Sequence, residues 1–134
     1  MTIPPTTPYA ALGGEAAVRR LVNRFYDLMD ELPEAWGVRK LHPPSLDVAR
    51  QSLFEFLSGW LGGPPLYTQK RGPARLRMRH LPYAIGASER DQWMLCMRLA
   101  LAEEVGDENL RRALEQALQQ LADHMVNVTT AATA

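Results

Sequence analysis

Four apolar stripes at helical spacing, broken once by a long stretch that carries none, limit what this chain can fold into. Over residues 15–31, Val18, Leu21, Val22, Phe25, Leu28 and Met29 recur at three- and four-residue steps, with Leu32 just beyond and Tyr26 on the stripe's edge. A second stripe over 46–61 holds Ala49, Leu53, Phe56, Leu57 and Trp60. A third over 89–105 holds Trp93, Cys96, Met97, Ala100 and Leu101, and a fourth over 108–126 holds Leu110, Leu114, Ala117, Leu118, Leu121 and Met125. Each predicts an amphipathic helix. The chain has 19 leucines and only two isoleucines, which favours helix over sheet because γ-branched side chains keep their rotamers in a helix. No alternating run is long enough for a strand, so the expected class is all-α.

The punctuation agrees. Thr7-Pro8 reads as a cap with proline in the first turn of a short helix, 9–12, ended by Gly13-Gly14. Pro33 stops the second helix, 34–40 allows a further turn, and His42-Pro43-Pro44 makes a rigid corner before a cap at Ser45. Gly62-Gly63-Pro64-Pro65 ends the next helix. Residues 66–74 read as loop, 75–80 as a short helix cut by Pro82, and Ser88 with Asp91 as a capping box. Gly106 and Asp107 separate the last two helices. This predicts one domain over 9–128 between flexible tails at 1–8 and 129–134. The stretch 62–87, poor in regular structure inside a compact domain, is where function is expected.

Fifteen basic residues balance fifteen acidic ones, so no global field draws nucleic acid or a membrane surface. No run approaches the roughly 18 apolar residues of a membrane span. The N-terminus has no basic start and no long apolar run, and the single Cys96 excludes an internal disulfide. The expected setting is cytoplasmic.

Of three histidines, His42, His80 and His124, none completes a zinc motif, and neither a phosphate loop nor a serine elbow is present. His80 lies in a run of cations: Lys70, Arg71, Arg75, Arg77 and Arg79. Cations favour the neutral imidazole, which is what an iron ligand must be, and arginines suit the two carboxylates of a heme. If 75–80 is helical, the Leu76 carbonyl orients the ring through its second nitrogen. On the residues alone, an ordinary half-buried histidine in a solvated basic loop explains the same run. Trp93 as plain core and Tyr26 as a helix-edge tyrosine stay open in the same way.

The order Gly62-Gly63-Pro64, Tyr67, Arg71-Gly72, Leu76-Arg77-Met78-Arg79-His80, Pro82, Ile85, Glu89-Arg90-Asp91, Trp93 and Cys96-Met97 resembles the group II truncated hemoglobins. So does Gly13-Gly14 with Arg24-Phe25-Tyr26. The resemblance spans about residues 9–128. Tyr83 and Pro73 depart from the usual pattern. It implies a shortened globin, two antiparallel helix pairs enclosing a heme, with a largely loop segment before the proximal histidine. The cofactor implied is heme b, with His80 as the metal ligand. Tyr67, Lys70, Arg71 and Arg79 are implied at the propionates, and Leu53, Phe56 and Leu76 against the heme. Trp93, Tyr26, His42, Ala49 and Leu53 are implied on the distal side. The function implied is reversible binding of dioxygen, NO or CO. Several distal donors favour redox or NO and peroxide chemistry, with an unidentified reductant, over oxygen transport. A dedicated NO dioxygenase or peroxidase-like enzyme is the alternative, and a heme-free helical module binding nucleic acid is the remote one. The partners expected are small diatomic ligands, no nucleic acid and no membrane, with the chain a monomer or homodimer.

Overall fold

A computed structural model describes residues 7–128; residues 1–6 of the tail expected at 1–8, and the tail expected at 129–134, lie outside them. Thr7 caps the first helix and Pro8 stands in its first turn, as the Thr-Pro pattern predicts. The described residues form eight α-helices and one 3-10 turn. In order, the helices are α1 (Pro8–Leu12), α2 (Gly14–Glu31), α3 (Trp36–Arg39), α4 (Asp47–Trp60), α5 (Leu66–Arg71), α6 (Leu76–His80), α7 (Ala87–Glu104) and α8 (Glu108–Met125), with the turn at Pro33–Ala35. No strand occurs among the described residues, and no helix there is long and apolar enough to cross a membrane.

Two antiparallel pairs make the fold: α2 packs on α4, α7 on α8, and α2 lies against α7 where the pairs cross. The stripes explain this. From α2, Val18, Leu21, Val22, Phe25 and Met29 are buried; from α7, Met94, Cys96, Met97, Ala100 and Leu101; from α8, Leu114 and Leu118. Phe25 is fully enclosed, a position where truncation to alanine typically costs about 3–5 kcal/mol. Cys96 is one of these apolar contacts, and burial pushes its thiol up to about 11, so it stays protonated.

The ends follow local chemistry. Thr7 Oγ1 accepts the Ala10 N–H at 3.1 Å. Gly13, at φ +122°, turns the chain from α1 directly into α2. Asp107 Oδ1 accepts the Leu110 N–H at 3.0 Å. Two expected starts are shifted. Ser45 does accept the Asp47 N–H at 3.2 Å, but α4 begins only at Asp47. The α7 start lies at Gly86, not Ser88: Glu89 Oε1 reaches back to the Gly86 N–H at 2.7 Å, while Ser88 Oγ accepts from Gln92. Glycine offers no side-chain oxygen, so the acidic residue does the capping alone.

The α4 face is rotated from the expected stripe. Phe54 and Leu57 are buried, with the polar Glu55 and Ser58, whereas Ala49, Leu53 and Phe56 are only half-buried and Trp60 is exposed. Residues 66–74, read as loop, contain the six-residue α5. Its reason lies on α4: Lys70 Nζ and Arg71 Nε, in the last turn of α5, bond the two carboxylate oxygens of Glu55 at 3.1 and 3.0 Å.

α1 closes over the end of α4 through the Tyr9 N–H, which donates to the Leu61 carbonyl at 2.9 Å. The Tyr9 ring lies directly over Gly63, where any Cβ would overlap it. Gly63→Ala is therefore expected to lower stability by about 1–3 kcal/mol, the usual cost of overpacking. Urea unfolding measures it, and an unchanged midpoint would remove this contact from the account.

Candidate functional site

His80 ends α6, and its Nδ1 is 2.7 Å from the Leu76 carbonyl oxygen, four residues back. A carbonyl only accepts, so Nδ1 carries the proton and the neutral ring keeps its lone pair on Nε2. That bond, not the neighbouring charge, selects the tautomer, because the cations of the run turn to other partners. Arg77 Nη1 donates to the His124 and Val126 carbonyls at 2.8 and 2.7 Å. Arg79 donates to the carbonyls of Ala74, Arg71 and Pro73 at 2.7–3.2 Å. Its guanidinium thereby holds the loop entering α6, where Arg75 has φ +43°. A non-glycine residue there costs roughly 1–2 kcal/mol, which these three bonds offset.

A second group converges on Tyr67. The guanidinium carbons of Arg71 and Arg79 lie 5.7 and 5.6 Å from its ring centre, and Phe56 meets it edge-on at 6.2 Å. Lys70 and Arg71 share Glu55, which sequence reasoning missed. The Glu55 side chain is 4% exposed. Burial raises its pKa, but hydrogen bonds from Gln51, Arg71 and Lys70 outweigh this and hold it at about 2. Each cation keeps N–H groups free beyond these bonds among the described residues.

The third group gathers where α2 meets α7. Phe25 contacts Tyr26 edge-on at 4.8 Å and Trp93 at 5.0 Å, and Tyr26 meets His42 at 5.9 Å. Tyr26 is 5% exposed, and its hydroxyl has no hydrogen-bond partner among the described residues. Burial drives its pKa well up, with Arg50 opposing, so the phenol stays a donor. The half-buried Trp93 indole N–H also has no partner among the described residues.

His42 Nδ1 lies 3.0 Å from the Val38 carbonyl, so in the neutral ring Nε2 accepts and does not donate. Burial lowers the His42 pKa against that bond, and the charge of Arg39 lowers it further. The corner that holds it is stapled by Arg39, which bonds Asp30 at 2.9 Å and the Pro43 and Pro44 carbonyls at 2.9 and 2.8 Å. Gln92, beside Trp93, accepts the Val38 N–H at 2.9 Å and ties α3 to α7. Neither Arg39 nor Gln92 carries a signal in the sequence, since the bonds by which they hold the corner run to the backbone of Pro43, Pro44 and Val38. The His124 side chain is exposed, and His124 meets the first group only through its backbone carbonyl, which accepts from Arg77.

The family comparison agrees with this arrangement: residues 7–127 match the bacterial-like globin family. The chain is 38% identical over 125 residues to the group 2 truncated hemoglobin YjbI of Bacillus subtilis (strain 168), covering 92% of this chain and 91% of that one. It belongs to the group II truncated hemoglobins. Among solved structures, this globin is similar to the cold-adapted truncated hemoglobin of the Antarctic marine bacterium Pseudoalteromonas haloplanktis TAC125. The TM-score is 0.90 at 50% identity, over 92% of this chain and 99% of the other. It is also similar to the group II 2-on-2 hemoglobin of the plant pathogen Agrobacterium tumefaciens, with TM-score 0.91 and 44% identity over 95% and 98% of the two chains.

A heme-binding globin needs an imidazole with a free nitrogen, cations for two carboxylates and apolar walls. His80 supplies the first and the Tyr67 group the second. The half-buried Ala49, Leu53 and Phe56 side of α4 supplies apolar surface that the protein core leaves uncovered. The buried Tyr26 hydroxyl, otherwise an orphan costing about 1–3 kcal/mol, fits a polar ligand beside it.

Glu55 titrates in the acid range. Its folded pKa lies below the unfolded carboxylate value, so its stabilisation is complete above about pH 4.5 and is lost as pH falls through about 2. Glu55→Gln keeps the shape but removes the charge on two hydrogen bonds, and is expected to cost roughly 1.5–3 kcal/mol at pH 7. Urea titrations of both forms should converge toward pH 2; a gap independent of pH would contradict the assignment.

Proposed function

We propose that this globin binds heme b, which His80 Nε2 would hold, and reversibly takes up dioxygen, NO or CO. The observation that carries this reading is the His80–Leu76 bond, which leaves the free lone pair on Nε2. Leu76 thus acts through its carbonyl. Leu53, Phe56 and Ala49 offer the apolar wall from α4. Tyr67, Arg79 and the free N–H groups of Lys70 and Arg71 suit the two propionates, with Glu55 holding both cations in place.

Heme supplies an iron site for diatomic ligands. The chain's own contribution is to orient and polarise what binds there. Tyr26 and Trp93 are donors with no protein acceptor among the described residues, whereas Ala49 offers no hydrogen bond. Donors fixed in a site of low polarity stabilise a ligand that gains negative charge. Neutral His42 differs from them: its Nε2 accepts a hydrogen bond from a neighbour or a ligand instead of donating one.

Each donor bond to a charged acceptor is worth about 1.5–3 kcal/mol, and about 1.4 kcal/mol is a factor of ten. Two such bonds make release slow, which suits NO or peroxide chemistry with an external reductant better than oxygen transport. A cytoplasmic setting, reducing and compatible with the lone Cys96, fits that chemistry.

Replacing His80 by alanine is expected to abolish most heme affinity or to leave heme without a nitrogen ligand, as read in the ferrous absorption spectrum. An ordinary five-coordinate histidine spectrum from that variant would refute the assignment. Trp93→Phe is expected to speed oxygen dissociation at least severalfold in stopped flow, and an unchanged rate would take Trp93 out of the mechanism.

A further inference from the structure

α6 is the least self-sufficient element of the fold. It has five residues, none of them buried, and no side chain caps its start. A helix that short has no independent stability. Yet it presents His80. What surrounds it is a dense set of polar bonds to the segment that follows α8, the helix on which α6 packs.

Asn127 is the centre of that set. Its Nδ2 donates to the His80 carbonyl at 3.2 Å and to the Tyr83 carbonyl at 2.8 Å. Its Oδ1 accepts the Ile85 N–H at 2.9 Å. Its own N–H donates to the Ile85 carbonyl at 2.8 Å, joined there by the Val128 N–H at 3.2 Å. One amide side chain thus ties three residues between His80 and α7. Arg77 reaches the other way, from inside α6 to the His124 and Val126 carbonyls, which the end of α8 leaves without helical partners.

We propose that Asn127, with Arg77, is a positioning residue for His80: the chain beyond α8 clamps the backbone on both sides of the iron ligand. The geometry selects the amide. Only a side chain with both a donor and an acceptor, as in asparagine, can serve two carbonyls and one N–H at once. Aspartate keeps the Ile85 bond but turns an oxygen toward the His80 and Tyr83 carbonyls. Leucine keeps the bulk and loses all three bonds. The effect reaches the imidazole through the backbone, since His80 Nδ1 depends on α6 staying helical back to Leu76.

The inference rests on heme ligation by His80, and the test separates the two. Asn127→Leu, Asn127→Asp and Arg77→Met are compared with the wild-type protein in three measurements. These are amide hydrogen exchange of Tyr83 and Ile85 in the apoprotein, the rate of heme transfer to apomyoglobin, and the ferrous iron–histidine stretching band in resonance Raman spectra. Faster exchange (at Tyr83 alone in Asn127→Asp, which keeps the Ile85 bond), about tenfold faster heme loss, as one to two net hydrogen bonds imply, and a shifted or broadened band are expected in the three variants. A wild-type protein without an iron–histidine band would overturn heme ligation, and the inference with it. A wild-type band that the variants leave unmoved would overturn the inference alone. So would heme loss rising only in step with the urea midpoint, since that marks a general loss of stability.

Discussion

The hydrogen bond from His80 Nδ1 to the Leu76 carbonyl is the contact on which the rest of the site depends. It needs α6 to be helical across one turn, because only then does the carbonyl four residues back lie beside the ring. It also decides the chemistry of the imidazole, leaving the lone pair of Nε2 free for the proposed iron. A five-residue helix cannot guarantee that geometry by itself. The surrounding polar bonds, from Arg79 to the entering loop and from Asn127 to the leaving one, supply what apolar burial does not.

The two sides of the site are built on different principles. Tyr26 and Trp93 sit on α2 and α7, whose buried stripes form the centre of the fold, and Phe25 wedges between their rings. Their positions are therefore as rigid as the core. His80, Arg79 and Tyr67 stand on short helices held by ion pairs and carbonyl contacts. His42 is intermediate: its corner is rigid through two prolines, but Arg39 and Gln92 attach that corner to the long helices. Rigid donors on one side and a polar-stapled ligand on the other suit a site that must admit a large planar group and then hold it.

The long helices are legible in the chain because a stripe at three- and four-residue steps has one physical meaning, and glycine and proline mark the ends. The distal roles proposed for Trp93 and Tyr26 come from family resemblance; by spacing alone both read as core. α5 is not legible, because Pro65 and Gly72 mark a loop as readily as a short helix and what folds it is Glu55, fifteen residues earlier. The cation run is legible as charge but not as geometry. In the fold Arg77 and Arg79 bond backbone carbonyls, acceptors that every residue carries and no composition reveals, while Arg79 Nη1 makes no bond among the described residues. Asn127 is hidden for the same reason, since each of its partners is backbone.

The central claim is that this chain binds one heme through His80, and the most direct measurement is a heme titration of the wild-type apoprotein followed by reduction. The account predicts a Soret band that saturates at one heme per chain and a ferrous spectrum typical of five-coordinate iron with a histidine ligand. Absorbance that rises without saturating, or a reduced spectrum lacking a nitrogen ligand, would contradict it.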